Sequence, residues 1–140
     1  MSRTIDPDRE QLSRVLKGIP QDTPIVMVNL LKFRDQAAYP EGHEVEPCSG
    51  EQAYRRYSKT AVRKIRETGG RPIWMGQAKG SLIAPPDEHW DEVVLVMYPS
   101  IAAFMDMIRQ PEYQAAAVHR TAALDDARLV CTVETQGLEG

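Results

Sequence analysis

Cysteine and histidine are scarce in this sequence. There are only two cysteines, Cys48 and Cys131, and three histidines, His43, His89 and His119. The cysteines form no CxxC pair, so neither a disulfide framework nor a zinc knuckle is indicated. The histidines show no HxH or HExxH spacing, and we therefore predict no metal site and no cofactor. A haem needs only one histidine, but nothing in the sequence favours one.

Long hydrophobic runs and an excess of positive charge are also lacking. No apolar run approaches the roughly 20 residues that span a bilayer, and the segment from Met1 to Pro20 has no apolar region typical of a secretory signal. We therefore expect a cytoplasmic protein with no membrane partner. The 17 basic and 20 acidic residues give a net charge of -3. That charge repels a phosphate backbone, so nucleic acid is not an expected partner.

The length and composition indicate one globular domain. With 140 residues, of which 42% are hydrophobic, the chain can form a core without metals or disulfides. We divide it into an N-terminal helical extension at 1–23, a core at 24–134 and a short tail at 135–140.

Hydrophobic periodicity and turn residues predict the order of helices and strands. Asp6 is the expected cap of the first helix, and Ser49 with Gln52 has the form of a capping box. A long connection at 35–48 is expected to be either a lid over a site or slack, that is, extra chain without such a role. The predicted helices lie at 7–17, 49–68, 101–109 and 112–127, and the predicted strands at 25–33, 72–84, 90–98 and 128–134.

This order, β-α-β-β-α-β after the first helix, predicts an α+β fold with a four-stranded antiparallel sheet and both main helices on one face. The other face is left bare, although the first and third strands are apolar on both sides. Such a face exceeds what monomers usually expose. We therefore expect a homodimer paired through the sheet faces, or, as an alternative, coverage of that face by the N-terminal helix.

Four separated strings resemble one known family: Val28–Arg34 (VNLLKFR), Ser49–Tyr57 (SGEQAYRRY), Trp90–Ser100 (WDEVVLVMYPS) and Pro111–Arg120 (PEYQAAAVHR). They are similar to the bacterial domain-of-unknown-function family 1330, a branch of the dimeric α/β-barrel superfamily with ferredoxin-like topology. The resemblance implies the fold and a face-to-face dimer but no activity. Other members of the superfamily include cofactor-free oxygenases, small-lactone isomerases and haem-dependent enzymes, so the fold does not define a function.

Several polar or aromatic side chains within apolar elements are candidates for a site. Asn29 must find partners in a buried strand, and we favour a structural latch over a group that orients a ligand. Arg34 can bind a carboxylate with two hydrogen bonds. His119 can transfer protons at neutral pH, although such a histidine more often caps or packs.

Five aromatic side chains could line an apolar pocket or simply fill the core and an interface. They are Tyr54, Tyr57, Trp74, Trp90 and Tyr98.

The leading hypothesis is a pocket that binds a small anionic or aromatic organic molecule. Its predicted lining is Asn29, Arg34, Tyr57, Trp74 and His119. If the protein is an enzyme, His119 would act as the base in cofactor-free proton transfer, oxygenation or isomerisation. The alternative is a non-catalytic dimeric module, either a stress or regulatory binding protein or a partner for another protein.

Overall fold

A computed structural model of the chain describes residues 2–43 and 45–135. After a first helix, the predicted β-α-β-β-α-β order is confirmed, and the second crossover is divided into two helices at Pro111, as the sequence predicts. The expected tail lies outside the described residues except for residue 135. The elements are α1 (Arg9–Lys17), β1 (Ile25–Phe33), α2 (Gly50–Glu67), β2 (Arg71–Gln77), β3 (Glu92–Tyr98), α3 (Ile101–Arg109), α4 (Pro111–Ala123) and β4 (Leu124–Val133).

The four strands form one antiparallel sheet in the order β2-β3-β1-β4. Side chains alternate between its two faces. On one face Met27 of β1 lies beside Val96 of β3 and Cys131 of β4. This inner face forms the core with α2, α3 and α4. The opposite side of the sheet is called the outer face below.

The outer face is apolar on both central strands. None of the six side chains is fully buried, and α1 does not cover them. Leu16 and Ile19 pack against the inner-face core instead, so the alternative of an N-terminal helix on the outer face is wrong. The six side chains are Val26, Val28 and Leu30 of β1 and Val93, Leu95 and Met97 of β3.

Helix starts follow local hydrogen-bonding rules. The Ser49 hydroxyl accepts from the Gln52 N–H, and the Gln52 side chain accepts from the Ser49 N–H, which confirms the capping box. The start of α1 was predicted two residues early. Asp8, not Asp6, caps α1 by accepting from the Glu10 N–H at 2.9 Å.

The end of β2 and the start of β4 differ most from the prediction, and the other strand ends agree within two residues. β2 ends at Gln77, because the apolar residues that suggested a longer strand, Leu82 and Ile83, are 100% and 98% exposed. β4 begins at Leu124, because Leu124 is buried in the core and already pairs with Phe33. The sequence predicts residues 124–127 at the end of the last helix, whereas the structure places them in β4. In the fold Asp126 instead accepts a hydrogen bond from the N-terminal segment.

None of the helices in the described ranges has the length and apolar character needed to cross a membrane.

Candidate ligand-binding cavity

A cavity of about 900 Å³ lies between the inner face of the sheet and the helices. It exists because small side chains face one another across this layer. Asn29 and Val94 are paired at the centre of the sheet, Ala61 belongs to α2 and Ala117 to α4. Pockets that bind small organic molecules have volumes of roughly 300–1,000 Å³ and mainly apolar walls. The cavity has the size and the lining of such a pocket.

Tyrosines bring polar groups into the apolar wall. Tyr54 and Tyr57 are three residues apart on α2 and share one side of that helix, with ring centroids 5.3 Å apart. The hydroxyls of Tyr57 and Tyr113 form a 2.7 Å hydrogen bond between α2 and α4. Tyr98 reaches the same cavity from β3. Three of the five aromatic residues considered from the sequence therefore line the cavity.

The hydroxyls of Tyr54 and Tyr98 form no hydrogen bond with another residue in the ranges 2–43 and 45–135. The two side chains are only 5% and 4% exposed. Within the described chain, no fully enclosed side-chain oxygen lacks a partner. Both hydroxyls must therefore touch open space, and the cavity that these residues line provides it.

The protonation of the tyrosines follows from burial. Burial raises the pKa of the Tyr54 hydroxyl to about 12, although the nearby Arg120 acts in the opposite direction. Burial also raises the pKa of Tyr57 and Tyr98 well above the usual range for a phenol. These hydroxyls stay protonated at neutral pH, so they can donate hydrogen bonds but cannot act there as general bases.

Two arginines also border the cavity, in different environments. Arg128 pairs with Asp126 at 2.6 Å and lies over the Trp90 ring, 5.1 Å from its centroid. Arg120 donates a 2.7 Å hydrogen bond to the Ile5 carbonyl. It takes part in none of the salt bridges among the described residues. Its guanidinium has five N–H donors, so several remain available.

The N-terminal segment, residues 2–6, closes one side of the cavity beside β4. The Thr4 carbonyl accepts from the Ala127 N–H at 2.6 Å, and Arg3 pairs with Asp125 at 2.7 Å. The Asp6 carboxylate accepts from the Thr121 hydroxyl at 2.8 Å. These bonds place α1 at the mouth of the cavity. Sequence reasoning missed this role because each bond joins residues more than 110 positions apart.

The loop at 35–48, which we expected to be a lid or slack, contributes no described residue to the cavity wall. Backbone hydrogen bonds fix this loop to other parts of the chain. The Ala37 N–H donates to the Cys48 carbonyl at 2.9 Å, and the Ala38 N–H donates to the Ala122 carbonyl at 2.8 Å. The loop is therefore held against the end of α4.

The structure brings only Asn29 and Tyr57 of the five predicted lining residues to the cavity. The Asn29 amide donates from Nδ2 to the Val94 carbonyl at 3.2 Å, which is the latch that we favoured from the sequence. The same side chain faces the cavity, so the latch does not exclude contact with a ligand.

Arg34 and Trp74 lie outside the cavity. The Arg34 Nε donates to the Leu124 carbonyl at 3.1 Å, and its side chain borders a separate polar hollow of about 400 Å³. Trp74 pairs with Leu95 on the outer face and is 60% exposed. Its indole lies over Gly76, where a Cβ atom would be only 2.9 Å from the indole nitrogen.

His119 is likewise separated from the cavity. With 3.6 residues per turn, it lies on the far side of α4 from Ala117, which lines the cavity. Its Nδ1 is 2.6 Å from the Tyr39 hydroxyl, and Arg56 donates to the same hydroxyl at 3.4 Å. His119 thus belongs to a polar cluster between α2, α4 and the 35–48 loop.

Within the described ranges, no group of three or more His, Cys, Asp and Glu side chains could hold a metal ion.

The sheet order and the helix layer define a ferredoxin-like α+β protein. The chain belongs to the family described as domain of unknown function (DUF1330), whose family model matches residues 45–134. No curated protein matches the sequence.

Solved structures support the same fold. RPA0582, a protein of unknown function from Rhodopseudomonas palustris, is 38% identical over 97% of this chain and 100% of its own, with a TM-score of 0.86. SnoaB, a cofactor-independent oxygenase from Streptomyces nogalater, is 14% identical over 84% of this chain and 99% of its own, with a TM-score of 0.51.

A dimeric ferredoxin-like protein of unknown function from Bacteroides fragilis is also 14% identical, over 82% of this chain and 100% of its own, with a TM-score of 0.50. At 14% identity, both this protein and the Streptomyces oxygenase share only their fold with this chain.

Proposed function

We propose that this chain binds a small organic molecule with an apolar body in the cavity between the inner face and the helices. The observation that carries the proposal is an open space of about 900 Å³ with a mainly apolar wall, to which Tyr54 and Tyr98 contribute side chains that form no hydrogen bond with the described residues. A hydroxyl that faces open space in an apolar wall can bind either water or a polar group of a ligand. A bound molecule would supply the partners and fill the apolar space.

The proposal is tested with Nile red, a neutral apolar dye that fluoresces in apolar surroundings. The Ala117→Trp variant fills the cavity from α4, and we expect it to weaken dye binding at least tenfold. Ala115→Trp is the matched control, because Ala115 is exposed on the same helix and does not line the cavity. Equal binding by the two variants would place the dye elsewhere and reject the proposal.

A second, catalytic hypothesis concerns His119 and is supported by its short contact with the Tyr39 hydroxyl. The fold is shared with a cofactor-independent oxygenase, and we propose His119 as the base for a cofactor-free reaction at this pair. Oxygen uptake with dithranol, an easily oxidised anthrone, tests it. The His119→Ala variant should lose the activity and Ala117→Trp should keep it. Uptake no faster than in buffer would end this hypothesis.

We also propose that two copies pair through their outer faces. The six apolar side chains on β1 and β3 form a continuous surface that no described helix covers, and burying such a surface is favourable. An isologous pair, in which the same surface meets itself, is the commonest arrangement of homodimers. The Bacteroides fragilis protein of the same fold is described as dimeric.

A further inference from the structure

Arg120 forms no salt bridge with the acids that border the cavity or with any other carboxylate of the described ranges. This side chain is partly buried on α4, between the N-terminal segment and the tyrosines. Its one hydrogen bond with the described chain is the bond to the Ile5 carbonyl, which is a neutral acceptor. A cation that is withdrawn from water without an anion is unfavourable, and a negative group placed beside it is stabilised.

Arg128, which pairs with Leu30 and therefore has its side chain on the outer face, shows how a nearby arginine looks when its charge is balanced. It contacts the Asp126 carboxylate at 2.6 Å, the Thr4 hydroxyl at 2.9 Å and the face of Trp90. Arg120 differs because no carboxylate within the described ranges has been placed beside it.

The acids that border the cavity are already engaged at its mouth. Asp6 accepts from the Thr121 hydroxyl at 2.8 Å, and Asp8 accepts from the Glu10 N–H as the cap of α1. Neither forms a salt bridge with Arg120. An acidic ligand would have to pass these two carboxylates, but inside it would meet one guanidinium and several phenols.

The polar groups inside are mainly hydrogen-bond donors. Tyr54 and Tyr98 offer free hydroxyls, and the Tyr57–Tyr113 pair has one further O–H, since only one of its two protons is used between the rings. Donors together with a cation recognise a group that accepts several hydrogen bonds and carries negative charge. A carboxylate does both, and guanidinium binds it with two parallel hydrogen bonds.

We propose that the molecule held in this cavity is an organic carboxylate, with its apolar body against the inner face and α2 and its carboxylate group paired with Arg120. This inference rests on the proposed binding function and specifies its ligand class. Arg120, not Arg34, is the anion anchor, and its neighbour His119 has no part in the contact.

Two matched pairs of compounds test the inference by titration calorimetry at pH 7.5: 2-naphthoate against 2-naphthamide, and decanoate against decan-1-ol. Each pair keeps the apolar body and changes only the charged group. The unmodified protein should bind each acid at least tenfold more tightly than its neutral partner. Arg120→Met should remove that preference while changing the affinity for the neutral compounds less than threefold, and Arg120→Lys should retain part of it.

The controls separate charge at this site from charge in general and from folding. Arg109→Met removes the same charge from an exposed position on α3 and should leave the preference unchanged. Arg120→Gln keeps a donor for the Ile5 carbonyl, so it replaces Arg120→Met if the latter does not fold.

The results distinguish this inference from the function on which it rests. If neither acid is preferred, or if the preference survives in Arg120→Met and Arg120→Gln, the carboxylate assignment is overturned. The binding function then still stands, provided that Nile red binds and Ala117→Trp removes it. If Nile red does not bind either, both proposals fail.

Discussion

The Glu92 carboxylate, only 4% exposed at the start of β3, accepts two hydrogen bonds of 3.2 and 2.7 Å from the Arg55 guanidinium of α2. The pair joins the helix layer to the inner face of the sheet. It raises the pKa of Arg55 mainly through the hydrogen bond to Glu92. The buried carboxylate therefore depends on a single helix for its partner cation.

Removing that cation should destabilise the fold. We expect Arg55→Met to lower the free energy of unfolding by about 2–4 kcal/mol, slightly less than is typical for fully buried pairs because Arg55 is 42% exposed. The double variant Arg55→Met/Glu92→Met should recover most of the loss, because no charge is then left buried. Urea denaturation measures both, and an unrecovered double variant would contradict this account.

The start of α2 should not tolerate a side chain at residue 50. A Cβ atom at Gly50 would collide with the carbonyl oxygens of Arg34 and Ala123 and lie 2.7 Å from the Arg34 nitrogen. These are backbone atoms that cannot turn away, so Gly50→Ala should cost about 1–3 kcal/mol of stability. Gly80→Ala is the control, since a Cβ there meets nothing within 4 Å. Thermal denaturation should show no loss for Gly80→Ala.

A charge on the outer face should separate the proposed dimer. Leu95 is central to that face, opposite Trp74 of β2, and Leu95→Lys would place an ammonium group in an apolar contact. Light scattering after gel filtration should change from the mass of two chains to that of one. Val15→Lys is the control, because Val15 is equally apolar and 46% exposed but lies on α1. A monomeric unmodified protein would refute the dimer.

His119 should titrate below the usual histidine pKa of about 6.5. Burial lowers its pKa first, followed by the positive charge of Arg56 and by His43. The folded state binds this proton less tightly than the unfolded state. Above the unfolded pKa of about 6.5, His119 is neutral in both states and does not lower the free energy of unfolding. Stability is lost as the pH falls through the lower pKa of the folded state. NMR titration should show the low value, and Arg56→Gln should raise it. If the pKa of His119 did not change in Arg56→Gln, the charge of Arg56 would be excluded as a cause of the low value.

The fold was accessible from sequence because it depends on local and periodic signals. β1 was predicted at its observed bounds by its apolar run and bracketing prolines, and the Ser49 capping box located α2. Arg55, in contrast, lies among several basic residues of α2, a pattern typical of a face exposed to solvent. Arg55 reaches Glu92 only because α2 packs on β3. The periodicity of the sequence does not predict such a contact.

Only part of the cavity lining could be predicted from the sequence. An amide within an apolar strand and tyrosines on an apolar helix face pointed correctly to Asn29 and Tyr57. The sequence does not show which side of α4 faces the cavity. Of the adjacent residues His119 and Arg120, only Arg120 lines it, and the residues around them would fit either orientation of the helix. Trp74 was misplaced because strand alternation fixes a face only after the bulge between Pro72 and Trp74 is known.

The contribution of residues 2–19 to the cavity bears on how relatives of this protein should be compared. The family model matches only residues 45–134, yet Ile5, Leu12 and Leu16 supply one wall of the cavity. A relative that shares the matched part and lacks these residues would have a cavity without this wall, more open to solvent on that side. Under the proposed binding function, ligand selectivity would then vary with the length of the N-terminal segment, and grouping members by the matched part alone would combine proteins with differently shaped cavities.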